Sequence, residues 1–287
     1  EGRGHFTQAI TLEEMLLRNG HEVVEVLVGK SSTRTLPGFF NRSIHAPVKR
    51  FISPNFLPTA DNKRANLTKS FAYNLLRLPE YLRSMYYINQ RIRETGAEVV
   101  INFYELLTGL TYALFRPSVP YICVGHQYLF LHRDFEFPDK NSCQLWMLRF
   151  FTRMTALRSS KKLALSFLEM EQDDMNQIVT VPPLIRQEVT AIRPEKGDYI
   201  HGYMVNSGFA DSVESFHAKH PEVPLTFFWD RSDAEEVTRI DETLSFNQID
   251  DVKFLNAMAG CKAYASTAGF ESICEAMYLG KPVLMVP

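Results

Sequence analysis

The chain has 287 residues, 45 % of them hydrophobic and 22 % charged, with a formal net charge of −2. That length favours two domains and that composition an ordinary globular core, and the charge gives no reason to expect nucleic acid as a partner. No apolar run reaches the roughly 18 residues of a membrane-spanning helix, and Cys123, Cys143, Cys261 and Cys274 lack zinc-site spacing, so they read as reduced thiols of a cytoplasmic protein.

Strand-like and helix-like segments alternate along the chain. Apolar residues at helical spacing (Ile10, Leu12, Met15, Leu16) predict a helix over 6–19, stopped by Asn19-Gly20, and a valine-rich strand over 22–28. A weaker strand is expected at 48–53, then a long helix over 67–95 kinked before Pro79. The run EVVINF predicts a buried strand over 98–103, followed by a helix at 106–115, a strand at 120–124, a helix at 144–158 and a strand at 162–167. Residues 180–198 are rich in proline and charge and read as a connector. Strands at 199–205, 225–229, 263–266 and 282–286 then alternate with helices at 210–219, 251–259 and 270–279. Such alternation argues for an α/β fold with parallel sheets. We divide it into an N-terminal domain over 1–185, a linker over 186–198 and a C-terminal domain over 199–287. A strand before Glu1 and helices after Pro287 are expected in the natural protein, because the chain opens on a glycine loop and closes just after a strand.

The segment STAGFESICEAMYLGKPVLMVP, residues 266–287, carries the most chemistry. A strand ends at Ser266, a turn passes Ala268-Gly269, and a helix starts near Phe270. The first N–H groups of a helix lack internal partners and carry about half a positive charge, which suits a diphosphate. Gly269 admits a close ligand, and the Ser266, Thr267 and Ser272 hydroxyls add donors. Glu275, further into the helix, can accept both hydroxyls of a ribose. An ordinary strand–turn–helix–strand unit has the same outline, and the physics alone leaves both readings open.

The pattern G-F-E-S-x-x-E-A-x-x-x-G-K-P-V-L-x-x-P resembles the donor-binding motif of GT-B glycosyltransferases. It is most similar to the bacterial group that includes the peptidoglycan N-acetylglucosaminyltransferase and the diacylglycerol glycosyltransferases. The resemblance implies two Rossmann-like domains with parallel sheets facing a cleft. It implies a nucleotide-diphosphate sugar, UDP-linked, as donor substrate with no other cofactor, and a glycan or lipid of the cell envelope as acceptor. Carried over by motif, Glu275 binds the ribose, and Gly269, Phe270, Glu271 and Ser272 bind the diphosphate, flanked by Thr267 and Ala268. Gly2-Arg3-Gly4-His5 resembles the glycine loop that faces sugar and acceptor. Asn206-Ser207-Gly208 resembles a second phosphate-facing loop, and Val181-Pro182-Pro183-Leu184 the approach to the linker. Residues 246–254 (FNQIDDVKF) resemble the segment that receives the base, with the contact at the Ile249 backbone.

Many retaining GT-B enzymes carry a second glutamate eight residues before the ribose-binding one; here that position holds Thr267, which favours inversion. Inversion needs a base for the acceptor hydroxyl and positive charge for the departing diphosphate. His5 is the first candidate base: its reference pKa is about 6.5, and a helix N-terminus disfavours its charged form. His126 and Glu105, also placed after strands, are the others. No metal site is expected, since no D-x-D or H-x-x-x-H pattern is present; Arg3 and the 206–208 loop would assist the helix N-terminus.

Residues 145–162 mix Trp146, Phe150 and Phe151 with Arg149, Arg153, Arg158, Lys161 and Lys162. The mixture suits the inner face of an anionic membrane, and equally an amphipathic helix packed on the first domain; residues 73–87 share the ambiguity. Two other functions fit the fold: a UDP-sugar 2-epimerase, which needs no acceptor, and a catalytically silent nucleotide-sugar-binding protein. A dinucleotide dehydrogenase fits poorly, because G-R-G-H lacks the third glycine.

Overall fold

Apolar strands and amphipathic helices assemble into two α/β units in a computed structural model that describes residues 3–30, 36–55, 67–137, 142–204, 207–231, 234–267 and 269–286. One unit holds the residues up to Asn55 and Thr68–Leu184; the other holds Ile185–Pro287.

The first unit opens with α1 (Arg3–Arg18), then β1 (Val26–Lys30), α2 (Gly38–Ser43) and β2 (Val48–Ile52). The strand expected at 22–28 pairs only from Val26, opposite Val48. Just before it, Glu25 turns to Arg91, whose Nη2 lies 2.8 Å from the carboxylate. The long predicted helix is two, α3 (Leu67–Leu76) and α4 (Leu78–Glu94), broken at Arg77 ahead of Pro79. Buried Tyr81, Met85, Ile88 and Ile92 form one stripe of α4, as a period of 3.6 requires. Next come β3 (Val100–Asn102), α5 (Leu106–Phe115), β4 (Tyr121–Val124), a 3₁₀ turn (His126–Leu131), α6 (Cys143–Thr155), β5 (Lys161–Leu165) and β6 (Ile178–Val181). β3, β4, β5 and β6 form a parallel sheet in that order, and β1 pairs with β2 in parallel. The core joins Phe51, Met85, Ile88, Leu107, Tyr121 and Ile178. Gly109 lets α5 meet α6: a Cβ there would sit 2.2 Å from the Met154 carbonyl oxygen.

The second unit begins with α7 (Gln187–Ala191) and β7 (Ile200–Met204). A 3₁₀ turn (Ser207–Phe209), α8 (Ala210–His217), β8 (Leu225–Trp229), β9 (Val237–Arg239) and β10 (Leu244–Gln248) follow. The unit closes with α9 (Asp251–Gly260), β11 (Ala263–Ser266), α10 (Phe270–Tyr278) and β12 (Val283–Met285). Its sheet runs β12-β11-β7-β8-β10-β9, parallel except for the β9 edge.

The stretch read as a connector is structured. β6 occupies its start, and α7 buries Val189 completely against Phe254, Met258, Ile273 and Ala276. Proline and charge marked the ends of these short elements, while each has too few apolar residues to register as a period. β9 and β10 escaped the reading for the same reason.

α6 is unusual. It buries Leu145 with two threonines, Thr152 and Thr155, and exposes Trp146, Met147 and Phe150. The Trp146 and Phe150 rings stack on the outside at 5.3 Å. Among the described residues no helix is long and apolar enough to cross a membrane.

Candidate active site

In the second unit, β11 delivers the chain to the start of α10. Gly269 is the N-cap of α10, and no side chain caps it. The Ser272 hydroxyl donates to the Gly269 carbonyl at 3.3 Å, so it closes the turn and remains an acceptor. Gly269 has an ordinary backbone, φ −74°. A Cβ there would meet only Ser272 Oγ at 3.4 Å, so the protein itself does not demand glycine at this position. Ser266 Oγ and the Tyr264 hydroxyl, at the end of β11, are buried and cluster with each other and with the Ser272 hydroxyl. Thr267, Phe270 and Glu271 are half-buried around the same turn. Ala268 lies outside the described residues. Glu271 adds a negative charge in the first turn, which suits the helix but opposes a diphosphate; its contribution to an anion would be its N–H.

Glu275 is buried within α10 and faces Arg186, the N-cap residue of α7. Arg186 Nε donates to Glu275 Oε1 at 2.6 Å and Nη2 to Oε2 at 3.0 Å, a fork-to-fork pair. Sequence reasoning placed Glu275 and missed Arg186, whose only signal was a cation directly after a proline-rich run. Lys281 is buried as well; its ammonium donates to the carbonyls of Cys261, at 2.9 Å, and Glu195. The segment after Leu184 is thus tied to the donor motif at two points.

The other second-unit candidates differ in availability. The Ile249 N–H, expected at a base, donates to the Trp229 carbonyl at 3.2 Å, so a base contact there must use the Ile249 carbonyl. Trp229 stacks on Phe246 at 4.5 Å, and the Arg231 guanidinium lies 5.0 Å above the Trp229 ring. Ser207 and Gly208 form the 3₁₀ turn that follows β7 and leads into α8, at the carboxyl end of the parallel sheet. Asn206 lies outside the described residues.

In the first unit, Gly4 and His5 belong to the first turn of α1 rather than to a loop before it. Gly2 lies outside the described residues. His5 Nδ1 sits 3.2 Å from Gln8 Oε1, and Gln8 is fully buried. With that amide oxygen as acceptor, the proton rests on Nδ1 and Nε2 carries the lone pair. Burial, chiefly, and the nearby His126 lower the His5 pKa to about 4. His126 starts the 3₁₀ turn after β4, and burial lowers its pKa to about 4. Both imidazoles are neutral at neutral pH, and both are weak bases.

Glu105 is committed to structure. It is the N-cap of α5, and its Oε1 accepts from the Leu107 N–H at 3.1 Å and from Ser53 Oγ at 2.9 Å. Burial raises its pKa above the usual carboxylate range. Gly29 makes room for it: a Cβ there would stand 2.9 Å from Glu105 Oε2. As a general base Glu105 would first have to give up its cap.

The glycosyl transferase family 1 profile matches residues 1–287. The chain belongs to that family. It is a glycosyltransferase with the GT-B fold, and solved structures carry the same architecture. Phytolacca americana UGT2, complexed with UDP-2-fluoroglucose and pterostilbene, superposes with a TM-score of 0.63 at 13 % identity, over 100 % of this chain and 78 % of that one. Arabidopsis thaliana UGT89C1 with UDP gives 0.63 at 14 % identity over 99 % and 77 %. The calicheamicin glycosyltransferase CalG4 gives 0.57 at 15 % over 100 % and 78 %. A search of the curated proteins finds no match.

Proposed function

We propose that this family 1 glycosyltransferase moves a sugar from a UDP-sugar, with inversion and without a metal, to an apolar hydroxyl acceptor at a membrane surface. The observation that carries the donor assignment is the start of α10: a helix N-terminus whose N-cap, Gly269, makes no side-chain cap, beside a cluster of hydroxyls from Tyr264, Ser266 and Ser272. These groups suit the oxygens of a diphosphate and the positive helix end suits its charge. Structural neighbours solved with UDP, UDP-L-rhamnose and UDP-2-fluoroglucose support the choice of nucleotide.

Each step falls to a named residue. His5 Nε2 takes the proton as the acceptor oxygen bonds to the anomeric carbon. The bond from that carbon to the diphosphate oxygen breaks, and its electron pair leaves with the nucleotide. The α10 N–H groups, from Gly269 to Ser272, take up the developing charge, and Glu275 holds the ribose. The exposed Trp146, Met147 and Phe150 of α6 favour an acceptor presented in a lipid surface, with Arg153 on the same helix toward anionic headgroups.

Thermal unfolding with UDP, GDP, dTDP and NAD tests the donor. A ligand at about 100 times its dissociation constant stabilises the fold by about 2.7 kcal/mol. We expect that shift with UDP and its loss in Glu275→Ala. A shift with NAD alone would return the chain to the dehydrogenase reading. Proton NMR of the first product then reads the anomeric configuration, and sugar release without an acceptor would favour the epimerase.

A further inference from the structure

We propose that Arg186 is a positioning residue for the donor: its guanidinium sets the plane and the charge of the Glu275 carboxylate so that its open edge receives a ribose hydroxyl. The inference rests on the reading of Glu275 as the ribose acceptor and adds a residue that no motif assigns.

The geometry is built from the backbone outward. α7 is anchored by Val189, fully buried among Phe254, Met258, Ile273 and Ala276, and the last two of these belong to α10. One apolar cluster thus fixes the N-cap of α7 and the inner face of α10 against each other. Arg186 and Glu275 project from those two fixed points, with side chains 16 % and 6 % exposed. Their bonds of 2.6 and 3.0 Å use one lone pair on each carboxylate oxygen. A carboxylate offers about four such sites. The fork takes the two converging pairs, so those left lie on opposite outer edges of the plane the fork has set, and the open edge can accept one ribose hydroxyl.

Charge gives a second reason for the pair. A lone carboxylate in α10 would repel a diphosphate at the N-terminus of the same helix and would be costly to bury. Paired with Arg186 it is neutral as a unit, so it can accept a hydroxyl without opposing the anion next to it. Lysine carries the charge but not the fork, and glutamine carries neither.

The test is calorimetric binding of UDP and of 2′,3′-dideoxy-UDP to the full chain, for wild type, Arg186→Lys, Arg186→Gln and Glu275→Gln. Wild type should prefer UDP by about tenfold to a hundredfold, the worth of hydrogen bonds to a charged acceptor. Arg186→Gln should bring the preference close to one, and Arg186→Lys should keep the fold while losing most of it. Arg186→Lys carries the test alone if removing the cation prevents folding. Arginine variants that retain the wild-type preference while Glu275→Gln loses it would overturn the positioning role and leave the ribose reading intact. A wild type that binds both nucleotides equally would overturn the ribose reading and the proposal with it.

Discussion

Around α10 the polar groups are fixed in advance. Glu275 is held by Arg186, Lys281 is held by two carbonyls, and the helix N–H groups point from a rigid element. Around His5 and His126 the groups are fixed but not reactive as they stand. Both histidines are pushed down to about 4, and Glu105, the third candidate base, is spent on capping α5. The contrast shows two ways of preparing chemistry. A site that must stabilise a fixed charge can be complete without its ligand. A site that must move a proton is tuned by what surrounds it, and an incoming acceptor and sugar change those surroundings.

The largest expected effect tests that contrast directly. General base catalysis is worth about 10²- to 10⁴-fold. We expect His5→Ala to lower kcat by that factor while UDP affinity, read by calorimetry, stays unchanged. His126→Ala should cost much less, since His126 enters only through the electrostatics of His5. Equal losses in the two variants would assign the proton transfer to the pair, and a loss confined to His126→Ala would move the base there.

Acid should separate the two units next. The folded pKa values of His5 and His126 lie near 4, and that of His201, buried among Phe228, Phe254 and Tyr264, near 3. All are depressed below the unfolded value of about 6.5. The unfolded chain therefore binds more protons, and stability is full above pH 6.5 and falls as pH drops toward the folded values. A fully buried histidine such as His201 removes up to about 1.4 kcal/mol per pH unit over that window. The first unit holds two of these histidines, half-buried, against one fully buried in the second. Hydrogen exchange at pH 7.5 and 5.5 should show the first unit losing more protection. An equal loss would mean that solvent reaches His5 and His126 more freely than their surroundings imply.

What the sequence made legible follows the same division. The strand–turn–helix at 266–279 was readable because a helix N-terminus needs only backbone, and glycine, serine and the following apolar period mark where it lies. The parallel sheets were readable from valine-rich and aromatic runs such as β8. Arg186 was not, because its role depends on the packing of a five-residue helix whose one deeply buried side chain is Val189. Nor was the state of Glu105: position after a strand suggested chemistry, while the capping bonds to Leu107 and Ser53 come from a turn and from β2's far end, separated by 52 residues in the Ser53 case. Local pattern reports where a backbone ends; it does not report which neighbour a side chain will meet.

Glu105 gives a smaller test. As a cap, its replacement by alanine should cost about 1 kcal/mol of stability. Glu105→Gln keeps an acceptor for the Leu107 N–H and should leave kcat within about twofold, a change too small for a lost base. A fall in kcat of a hundredfold in Glu105→Gln, with thermal stability retained, would instead make this carboxylate part of the proton path and would erase the distinction between cap and catalyst drawn above.

The smallest effect sharpens the donor side. Glu271 lies in the first turn of α10, where a carboxylate stabilises the helix by about 0.3–1 kcal/mol. A diphosphate bound at the same N–H groups meets that charge at close range. Removing it in Glu271→Gln should therefore act with opposite signs on the two states: the free protein loses a few tenths of a kcal/mol, and UDP binds about two- to fivefold more tightly at low salt. Added salt should shrink the gain, because an exposed pair of charges is screened over about 10 Å at 0.1 M. If UDP affinity is unchanged but affinity for the full UDP-sugar falls, the carboxylate is receiving a hydroxyl of the sugar and does not oppose the diphosphate.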